Sequence, residues 1–451
     1  MNSGGTSADK GRRKFHPTAD RLVHAVLICL VCFLSYSNTF NVPFQFDDLH
    51  NISEKPYVRD INMFFDPSRS SQDSSFVMRS VAYITFAVNY WIHGNDVVGY
   101  HILNTAIHLL NGFLVYFLVL LTFRTSCLGS EKLKVKNEKA EQGPEDPSPF
   151  TFHLSHLFPL AVALLFVSHP VQTQAVTYIV QRLASLATLF YLLSLLMYIK
   201  WRLGQQEPGD RSQETEVGSQ QSKARTRDSR LKTGSYYFLS LISAVLAMKT
   251  KEIAFTLPLV IALYEFMFFG GGLKKRILYL VPLLLTMLII PLGLISIGKP
   301  TGEIIGDVSD ATKVGTDISR WDYLFSEFRV IVTYIRLLFF PVNQNLDYDY
   351  PVYHSFSDPN VFLSFLLLVS IFGLGVYLAY RSWFMAHRKR LQANETLTPD
   401  NELSAMSYQR LIAFGIFWFF ITLFVESSVI PIADVIFEHR LYLPSVGFFI
   451  A

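Results

Sequence analysis

Ten apolar segments recur along the chain, and the longer ones have the roughly 20 residues that a helix needs to cross a bilayer. The chain is 51% hydrophobic and 17% charged, with a mean hydropathy of +0.30. This composition excludes a disordered chain and an ordinary soluble protein. We therefore predict an all-α polytopic membrane protein with about ten membrane segments, in which residues 1–21 are a cytoplasmic N-terminus and residues 22–451 form one transmembrane domain. The apolar segments are 22–40, 100–123, 157–168, 183–201, 235–248, 253–269, 277–297, 361–380, 408–425 and one that begins near Val446.

The distribution of lysine and arginine predicts which loops lie inside, because cytoplasmic loops are enriched in both. The apolar run 323–340 is the ambiguous element. If it crossed, the basic residues of 381–390 would lie outside; if it lies on or dips into the outer face, they join the other basic clusters on the cytoplasmic side. The mixed-charge stretches 129–150 and 202–232 are then flexible cytoplasmic linkers. We adopt this second arrangement, which predicts interfacial helices on the outer face and places five segments there: 41–99, 169–182, 249–252, 298–360 and 426–445.

Two adjacent carboxylates, Asp47 and Asp48, follow the first apolar segment at a membrane boundary. Carboxylates at such a place can take a proton from an acceptor hydroxyl, hold a divalent cation, or cap and solvate a helix end. We predict that the pair is catalytic, because polar residues gather in the other outer segments as well. A divalent cation remains an open alternative and is not predicted.

Four basic residues are predicted to bind a phosphate at the outer face: Arg79, Arg182, Lys251 and Arg440. Arg79 precedes an apolar run, where a cation meets lipid phosphates, although an interfacial anchor explains it equally well. Lys251 lies in a tight turn on the side where positive charge is disfavoured, and a phosphate ligand is one reason for its presence. Arg182 can instead cap a helix end, and Arg440 can instead pair with Glu438.

Polar residues also mark one face of the second apolar helix. His101, Asn104, His108 and Asn111 recur at steps of three and four residues, so they share that face. Interhelical hydrogen bonding is the default explanation, and contact with a substrate is the alternative. His101 lies nearest the outer end, and we connect it to the site.

Three residues of other outer loops, His169, Glu252 and His439, are predicted to support the site, although Glu252 can simply pair with a lysine. Three cysteines are too few for a disulfide framework. No P-loop, nucleophile elbow or HExxH zinc site is present in the sequence. Cys29 and Cys32 have CxxC spacing, but they lie inside the first apolar helix, and we predict no redox or metal role for them. We predict no metal, no certain cofactor and no nucleic-acid partner.

Several short motifs and their order resemble the transmembrane and tetratricopeptide-repeat O-mannosyltransferases and their bacterial relatives. The resemblance implies a GT-C-type helical bundle that uses a polyprenyl-phosphate sugar as donor. It also implies an inverting transfer in which Asp47 or Asp48 is the general base. The motifs are Phe46-Asp47-Asp48, Val88-Asn89-Tyr90, Gly99-Tyr100-His101-Ile102-Leu103-Asn104, His108-Leu109-Leu110-Asn111, His169-Pro170-Val171-Gln172, Tyr178-Ile179-Val180-Gln181-Arg182, Lys251-Glu252 and Glu438-His439-Arg440-Leu441-Tyr442-Leu443-Pro444.

The resemblance predicts transfer of a hexose, mannose by preference, to a hydroxyl of a protein serine or threonine or of a glycan on the extracytoplasmic face. We favour a bacterial inner membrane, with the endoplasmic reticulum as the alternative. Two rival functions are a transporter or flippase for lipid-linked sugars and a membrane scaffold for C-terminal repeats. The segment that begins near Val446 is too short for a span. We therefore expect a truncated chain, with tetratricopeptide repeats beyond residue 451.

Overall fold

The structure is a computed structural model of the chain. It describes residues 17–66, 74–125, 149–206, 220–295, 318–391, 400–428, 431–432 and 434–451. Residues 1–16 and much of the two predicted cytoplasmic linkers lie outside the described residues. The described residues form helices and turns and no β-strand, which confirms the all-α class.

Thirteen described helices have seven residues or more. They are α1 (Pro17–Tyr36), α2 (Ser80–His93), α3 (Val97–Thr122), α4 (Pro149–Ser168), α5 (Arg182–Gln206), α6 (Gln220–Met248), α7 (Leu257–Phe268), α8 (Leu273–Leu285), α9 (Ile289–Ile295), α10 (Arg320–Phe339), α11 (Pro359–Leu391), α12 (Asp400–Leu423) and α13 (Pro444–Ile450). The shorter helical turns are Leu49–Ser53, Pro56–Arg59, Ile61–Phe65, Ser74–Met78, Pro170–Gln172, Thr173–Thr177, Ile179–Gln181, Glu252–Thr256, Thr286–Leu288 and Glu438–Leu441.

Four described helical stretches are long and apolar enough to cross a membrane: Val97–Thr122, Ile179–Gln205, Leu273–Gly293 and Pro359–Met385. A fifth is formed if the pair Leu157–Ser168 and Pro170–Thr177, bent by 51°, counts as one span. The predicted number of about ten is not reached by these criteria among the described residues. One predicted segment, 253–269, is too short to cross, since α7 has 12 residues and so reaches only about 18 Å.

The ambiguous run 323–340 forms α10, which is amphipathic and is not among the candidate spans. Tyr323 and Tyr334 are buried on one face, whereas Trp321 and Phe339 are exposed. An exposed tryptophan at one end and an exposed phenylalanine at the other suit a helix that lies at a membrane surface. The side of the membrane on which it lies stays a prediction.

Local signals make the connection between α2 and α3 tight. α2 ends at His93 because Gly94 has φ of +58°, a left-handed conformation that glycine adopts without strain. Asp96 then caps α3, since its side chain accepts a hydrogen bond from the backbone N–H of Val98 at 3.1 Å. The Tyr100 hydroxyl donates back to the Gly94 carbonyl at 2.9 Å, which closes the turn.

The polar face of α3 is buried inside the bundle and bonds to other helices. Asn111 donates to the Ser185 carbonyl at 2.8 Å and to the Tyr442 hydroxyl at 3.1 Å. His108 contacts the same hydroxyl through Nδ1 at 2.7 Å and the Val167 carbonyl through Nε2 at 3.2 Å. The predicted interhelical hydrogen bonding is therefore confirmed for this stripe.

A close approach of two glycines fixes α13 against α12. A Cβ atom at Gly447 would lie 2.6 Å from the Gly415 carbonyl oxygen and 2.6 Å from the Trp418 ring. Such separations are below van der Waals contact, so only glycine fits here. The Trp418 indole also donates to the Leu443 carbonyl at 2.9 Å. These contacts hold the segment that precedes α13, which contains Arg440, against the bundle.

Candidate active site

The acidic pair divides into one buried and one exposed carboxylate. Phe46 has φ of +38°, an uncommon conformation for a residue with a Cβ atom, and it turns the chain sharply before the pair. Asp48 points inward and is 1% exposed, whereas Asp47 is exposed. The two neighbouring side chains therefore meet different surroundings and have different chemical capacities.

Asp48 anchors the loop 41–48 to the segment before α5. Its carboxylate accepts a hydrogen bond from the backbone N–H of Gln45 at 2.9 Å and another from that of Val180 at 2.7 Å. Burial raises the pKa of Asp48 to about 6, although these backbone donors favour the charged form. On the other side of the same loop, Nε2 of His101 lies 2.8 Å from the Val42 carbonyl. The loop is thus tied down at both edges.

Asp47 keeps its carboxylate at the surface while its backbone is held. Its N–H donates to the Tyr178 hydroxyl at 3.0 Å, and its carbonyl accepts from Nδ2 of Asn51 at 3.2 Å. The Tyr178 hydroxyl is close enough to interact with the Asp47 carboxylate as well. An exposed carboxylate on a held backbone is suited to proton transfer, since it is accessible and oriented.

Two cations of the predicted phosphate site are ion-paired. Arg79 donates to Glu252 through Nε at 2.9 Å and Nη2 at 3.0 Å, and the two side chains are 34% and 32% exposed. This two-point geometry is the one in which guanidinium groups hold carboxylates and phosphates alike. Lys251 pairs with Glu426 at 2.7 Å and is nearly enclosed. Of the four predicted cations, Arg79 is the most accessible.

Arg440 is buried and holds the segment in which it lies. Nη1 donates to the Val435 carbonyl at 2.8 Å, and Nη2 donates to the Asp434 carbonyl at 2.7 Å. The carboxylate of Glu327, on the buried face of α10, lies 3.7 Å from Nη1. Burial raises the pKa of Glu327 to about 7 in spite of this cation. Arg440 therefore acts on the site mainly through its charge.

Arg182 is not brought to the site surface. It is fully buried, and Nε donates to Oδ1 of Asn104 at 2.6 Å. Its Nη atoms donate to the carbonyls of Thr85 and Tyr100, both at 3.2 Å, and the guanidinium lies 4.4 Å from the centre of the Phe86 ring. These contacts make Arg182 a tie between α2, α3 and α5, in place of the accessible phosphate ligand that its position in the sequence predicts.

Seven residues of the site are linked into one network, which we call the polar ring. From Asp47 the network runs through Asn51, whose Oδ1 lies 3.5 Å from the Tyr83 hydroxyl, to Arg79, whose carbonyl accepts from the Tyr83 N–H at 3.1 Å. It continues through the two ion pairs described above, and the Glu426 carbonyl lies 3.4 Å from Nη1 of Arg440. The polar ring comprises Asp47, Arg79, Lys251, Glu252, Glu426, Asp434 and Arg440.

The two ends of the polar ring, Asp434 and Asp47, carry like charges that repel each other. Asp434 is exposed, and burial of part of its carboxyl group raises its pKa, followed by the charges of Asp347 and Asp47. The ring thus joins residues from the predicted outer segments 41–99, 249–252 and 426–445. In the part of the chain that the structure describes, no three His, Cys, Asp or Glu residues are grouped as ligands for a metal ion.

His439 lies beside cations of the polar ring, whereas His169 contacts α10 and the turn that begins at Pro170. The His439 N–H donates to Oε1 of Gln174 at 2.6 Å. His169 contacts the Leu338 carbonyl through Nε2 at 3.1 Å, and its Nδ1 accepts from the Val171 N–H at 3.2 Å. Both ring nitrogens of His169 are therefore used to join α10 to the turn that begins at Pro170.

Three residues of this site were missed by the sequence analysis: Glu327, Glu426 and Asp434. Glu327 had a readable signal, because it lies four residues after Tyr323 and seven before Tyr334, on the apolar face of an amphipathic helix. A carboxylate on such a face needs a partner. Glu426 and Asp434 carried no comparable signal, since they are single acidic residues in an irregular segment.

Comparison with known proteins supplies relatives over part of the chain. Protein O-mannosyl-transferase Tmtc3 of Drosophila melanogaster is 30% identical over 190 residues, which are 40% of this chain and 19% of that protein. A protein O-mannosyl-transferase of Caenorhabditis elegans is 26% identical over 208 residues, 44% of this chain and 26% of that protein. Protein O-mannosyl-transferase TMTC4 of Homo sapiens is 29% identical over 183 residues, 38% of this chain and 22% of that protein.

The matched part spans between 19% and 26% of the length of these relatives. No protein-family model matches the chain, and no solved structure matches it. The relatives confirm the resemblance stated from the motifs. The curated homologues of this chain are thus protein O-mannosyltransferases of the transmembrane and tetratricopeptide-repeat family, at modest identity over part of its length.

Proposed function

We propose that this chain is the membrane part of a GT-C-type glycosyltransferase that moves a mannose from a polyprenyl-phosphate carrier to a protein hydroxyl on the extracytoplasmic face. The observation that carries the proposal is the polar ring, in which the backbone carbonyl of Asp47 is linked through Asn51 and Tyr83 to Arg79 while the Asp47 carboxylate stays exposed. The ion pairs of Arg79 and Lys251 continue this network. The names of the relatives support mannose as the sugar and protein as the acceptor. A glycan hydroxyl is the second candidate acceptor.

In this proposal Asp47 is the general base. As the acceptor oxygen attacks the anomeric carbon, its proton passes to the Asp47 carboxylate, and the new carbon–oxygen bond forms with inversion. The bond between the anomeric carbon and the phosphate oxygen breaks, and its electron pair leaves with the polyprenyl phosphate. Asp48 is the weaker candidate for the base, because both of its oxygens already accept backbone N–H groups.

The departing phosphate needs positive charge at the place where its own charge develops. Arg79 is the proposed first contact, since its guanidinium is one-third exposed and is already arranged to hold a two-oxygen anion. Lys251 lies next to Glu252 in the chain and adds a second cation. Arg440 contributes its charge from behind, because its donors are occupied by backbone carbonyls.

A transporter for lipid-linked sugars, the rival function, would need polar groups along a path through the membrane. The candidate path is the stripe on α3, and its members bond to Tyr442, Val167 and Ser185 in the bundle interior. Groups that are used in this way hold helices together. The exposed Asp47 and the part-exposed Arg79 both lie in the predicted outer segment 41–99, which supports an enzyme that meets its substrates there.

The organisms of the relatives bear on the compartment of the proposed enzyme. They are animal proteins, which favours the endoplasmic reticulum membrane over a bacterial inner membrane. The polar ring would then face the lumen, where lipid-phosphate sugars and secreted proteins meet.

The test is transfer of labelled mannose from polyprenyl-phosphate mannose in membranes that contain the protein. Asp47→Asn should reduce transfer by about 100-fold or more, because a positioned general base contributes on that order. Asp349→Asn is the matched control, since Asp349 is also exposed and lies outside the polar ring. Equal transfer by wild type and Asp47→Asn would refute the assignment, and no transfer from this or other lipid-linked sugars would refute the enzyme itself.

A further inference from the structure

The backbone determines how the side-chain amide of Gln174 is oriented. Its Nε2 group lies 3.0 Å from the Leu346 carbonyl, to which it donates, and its Oε1 atom accepts from the His439 N–H at 2.6 Å. A carbonyl only accepts and a backbone N–H only donates, so the reversed orientation would place like groups against each other at both ends. The oxygen of Gln174 therefore faces His439.

This orientation in turn determines the tautomer of His439. Its Nδ1 atom lies 3.2 Å from the same Oε1 atom of Gln174, and an amide oxygen can only accept, so Nδ1 carries the hydrogen. In a neutral imidazole Nε2 then has a lone pair and acts as an acceptor. Burial holds the pKa of His439 well below its usual range, and the charges of Lys251, Arg440 and Arg79 lower it further, so the ring is neutral.

The lone pair on Nε2 of His439 has no hydrogen-bond partner among the residues that the structure describes. The residue as a whole is 6% exposed. His169 provides the contrast, because there Nδ1 accepts and Nε2 donates, and both are bonded to backbone. One histidine is structural, while the other presents an unused acceptor beside three cations.

We propose that Nε2 of His439 accepts a hydrogen bond from one hydroxyl of the donor's sugar ring and thereby selects a sugar that has that hydroxyl. This inference rests on the proposed function. The surrounding cations attract the donor phosphate, and the sugar is the group attached to it. Phosphate oxygens offer no hydrogen to a lone pair, whereas a sugar hydroxyl does. A site built to bond a hydroxyl rejects the analogue that lacks it, because its own polar atom is then left unpaired.

The experiment compares polyprenyl-phosphate mannose with its 2-, 3-, 4- and 6-deoxy analogues as donors for the intact protein. With the wild-type protein, kcat/KM for one of the analogues should be about 10- to 100-fold lower than for polyprenyl-phosphate mannose, because Nε2 of His439 is then left without its partner. His439→Phe keeps an aromatic ring beside Phe437, whose ring centre is 5.0 Å from that of His439. In this variant, kcat/KM for polyprenyl-phosphate mannose should fall by a similar factor, whereas kcat/KM for that one analogue should stay at the wild-type value.

His169→Phe is the matched control, and it should keep the wild-type order of preference among the five donors. If His439→Phe loses the same factor on every analogue, the hydroxyl belongs to the acceptor or the role is structural, and the proposal is overturned. Absence of transfer by wild type from all five donors would overturn the proposed function and this inference together.

A second measurement does not depend on activity. Solid-state NMR of the wild-type protein labelled with ring-15N histidine should show a signal of a neutral histidine with hydrogen on Nδ1 that is absent from the spectrum of His439→Gln. A wild-type spectrum in which His439 carries its hydrogen on Nε2, or is doubly protonated at neutral pH, would overturn the assignment.

Discussion

Replacing Asp48 by asparagine should change how the stability of the protein depends on pH. Burial raises the pKa of Asp48 from 3.8 to about 6. A rise of this size corresponds to roughly 3 kcal/mol between the two protonation states. The folded protein binds this proton more tightly than the unfolded chain does. The stability that the group contributes is therefore present below about pH 4 and is lost as the pH rises through 6.

Asparagine cannot ionise, so this pH dependence disappears in Asp48→Asn. Its single oxygen can accept from only one of the N–H groups of Gln45 and Val180, and its NH2 group then faces the other. An unpaired buried N–H costs about 1–3 kcal/mol at any pH. The variant should therefore be clearly less stable than wild type at pH 4.5, and the difference should shrink or reverse by pH 7.

The assay is unfolding of the purified protein in detergent, followed by tryptophan fluorescence between pH 4.5 and 7.5. Asp47→Asn is the control, because the Asp47 carboxylate is exposed and its profile should run parallel to that of wild type. Parallel profiles for wild type and Asp48→Asn would refute the reasoning, since they would show that the buried carboxyl group does not gain its proton on folding.

Three further predictions test other parts of the structure. Arg79→Gln should raise the KM for the donor, and Glu252→Gln should lower it because Arg79 is then free to bind the phosphate. Because the pair is partly exposed, its interaction should contribute only about 1 kcal/mol to the free energy of unfolding, as measured by a double-mutant cycle. Arg182→Met should destabilise the protein by about 3 kcal/mol in thermal unfolding, because Asn104 loses its partner, while the donor KM of the folded fraction stays unchanged. Gly447→Ala should lower the unfolding temperature, since its Cβ would meet the Gly415 carbonyl at 2.6 Å, whereas Gly373→Ala, where no atom lies within 4 Å, should not.

The helices and their polar stripe were readable from the sequence because both follow from periodicity. Apolar residues that continue for many positions predict a helix in a membrane, and steps of three and four residues put His108 and Asn111 on one face. Polar groups inside a bundle must bond to one another, so their interhelical contacts could be predicted without knowing the partners. The number of spans could not be read in this way, because it depends on where each helix bends or ends.

The candidate site was predictable as a region and not as a set of roles. Asp47 and Asp48 are chemically identical neighbours, and what separates them is the Phe46 turn together with an N–H from Val180, more than 130 positions along the chain. Arg79 and Arg182 are likewise indistinguishable by residue type. Arg79 pairs with a carboxylate and is partly exposed to solvent, whereas Arg182 is enclosed by helices.

The sequence alone thus determined the all-helical class, the shared polar face of α3, and the residue types available at the candidate site. Only the tertiary structure decided which carboxylate is exposed, which cations are accessible, and which nitrogen of His439 bears the hydrogen. The physical reason is that burial and hydrogen bonding depend on partners from distant segments, such as Gln174 and Glu426, whereas periodicity and composition are local properties of the chain.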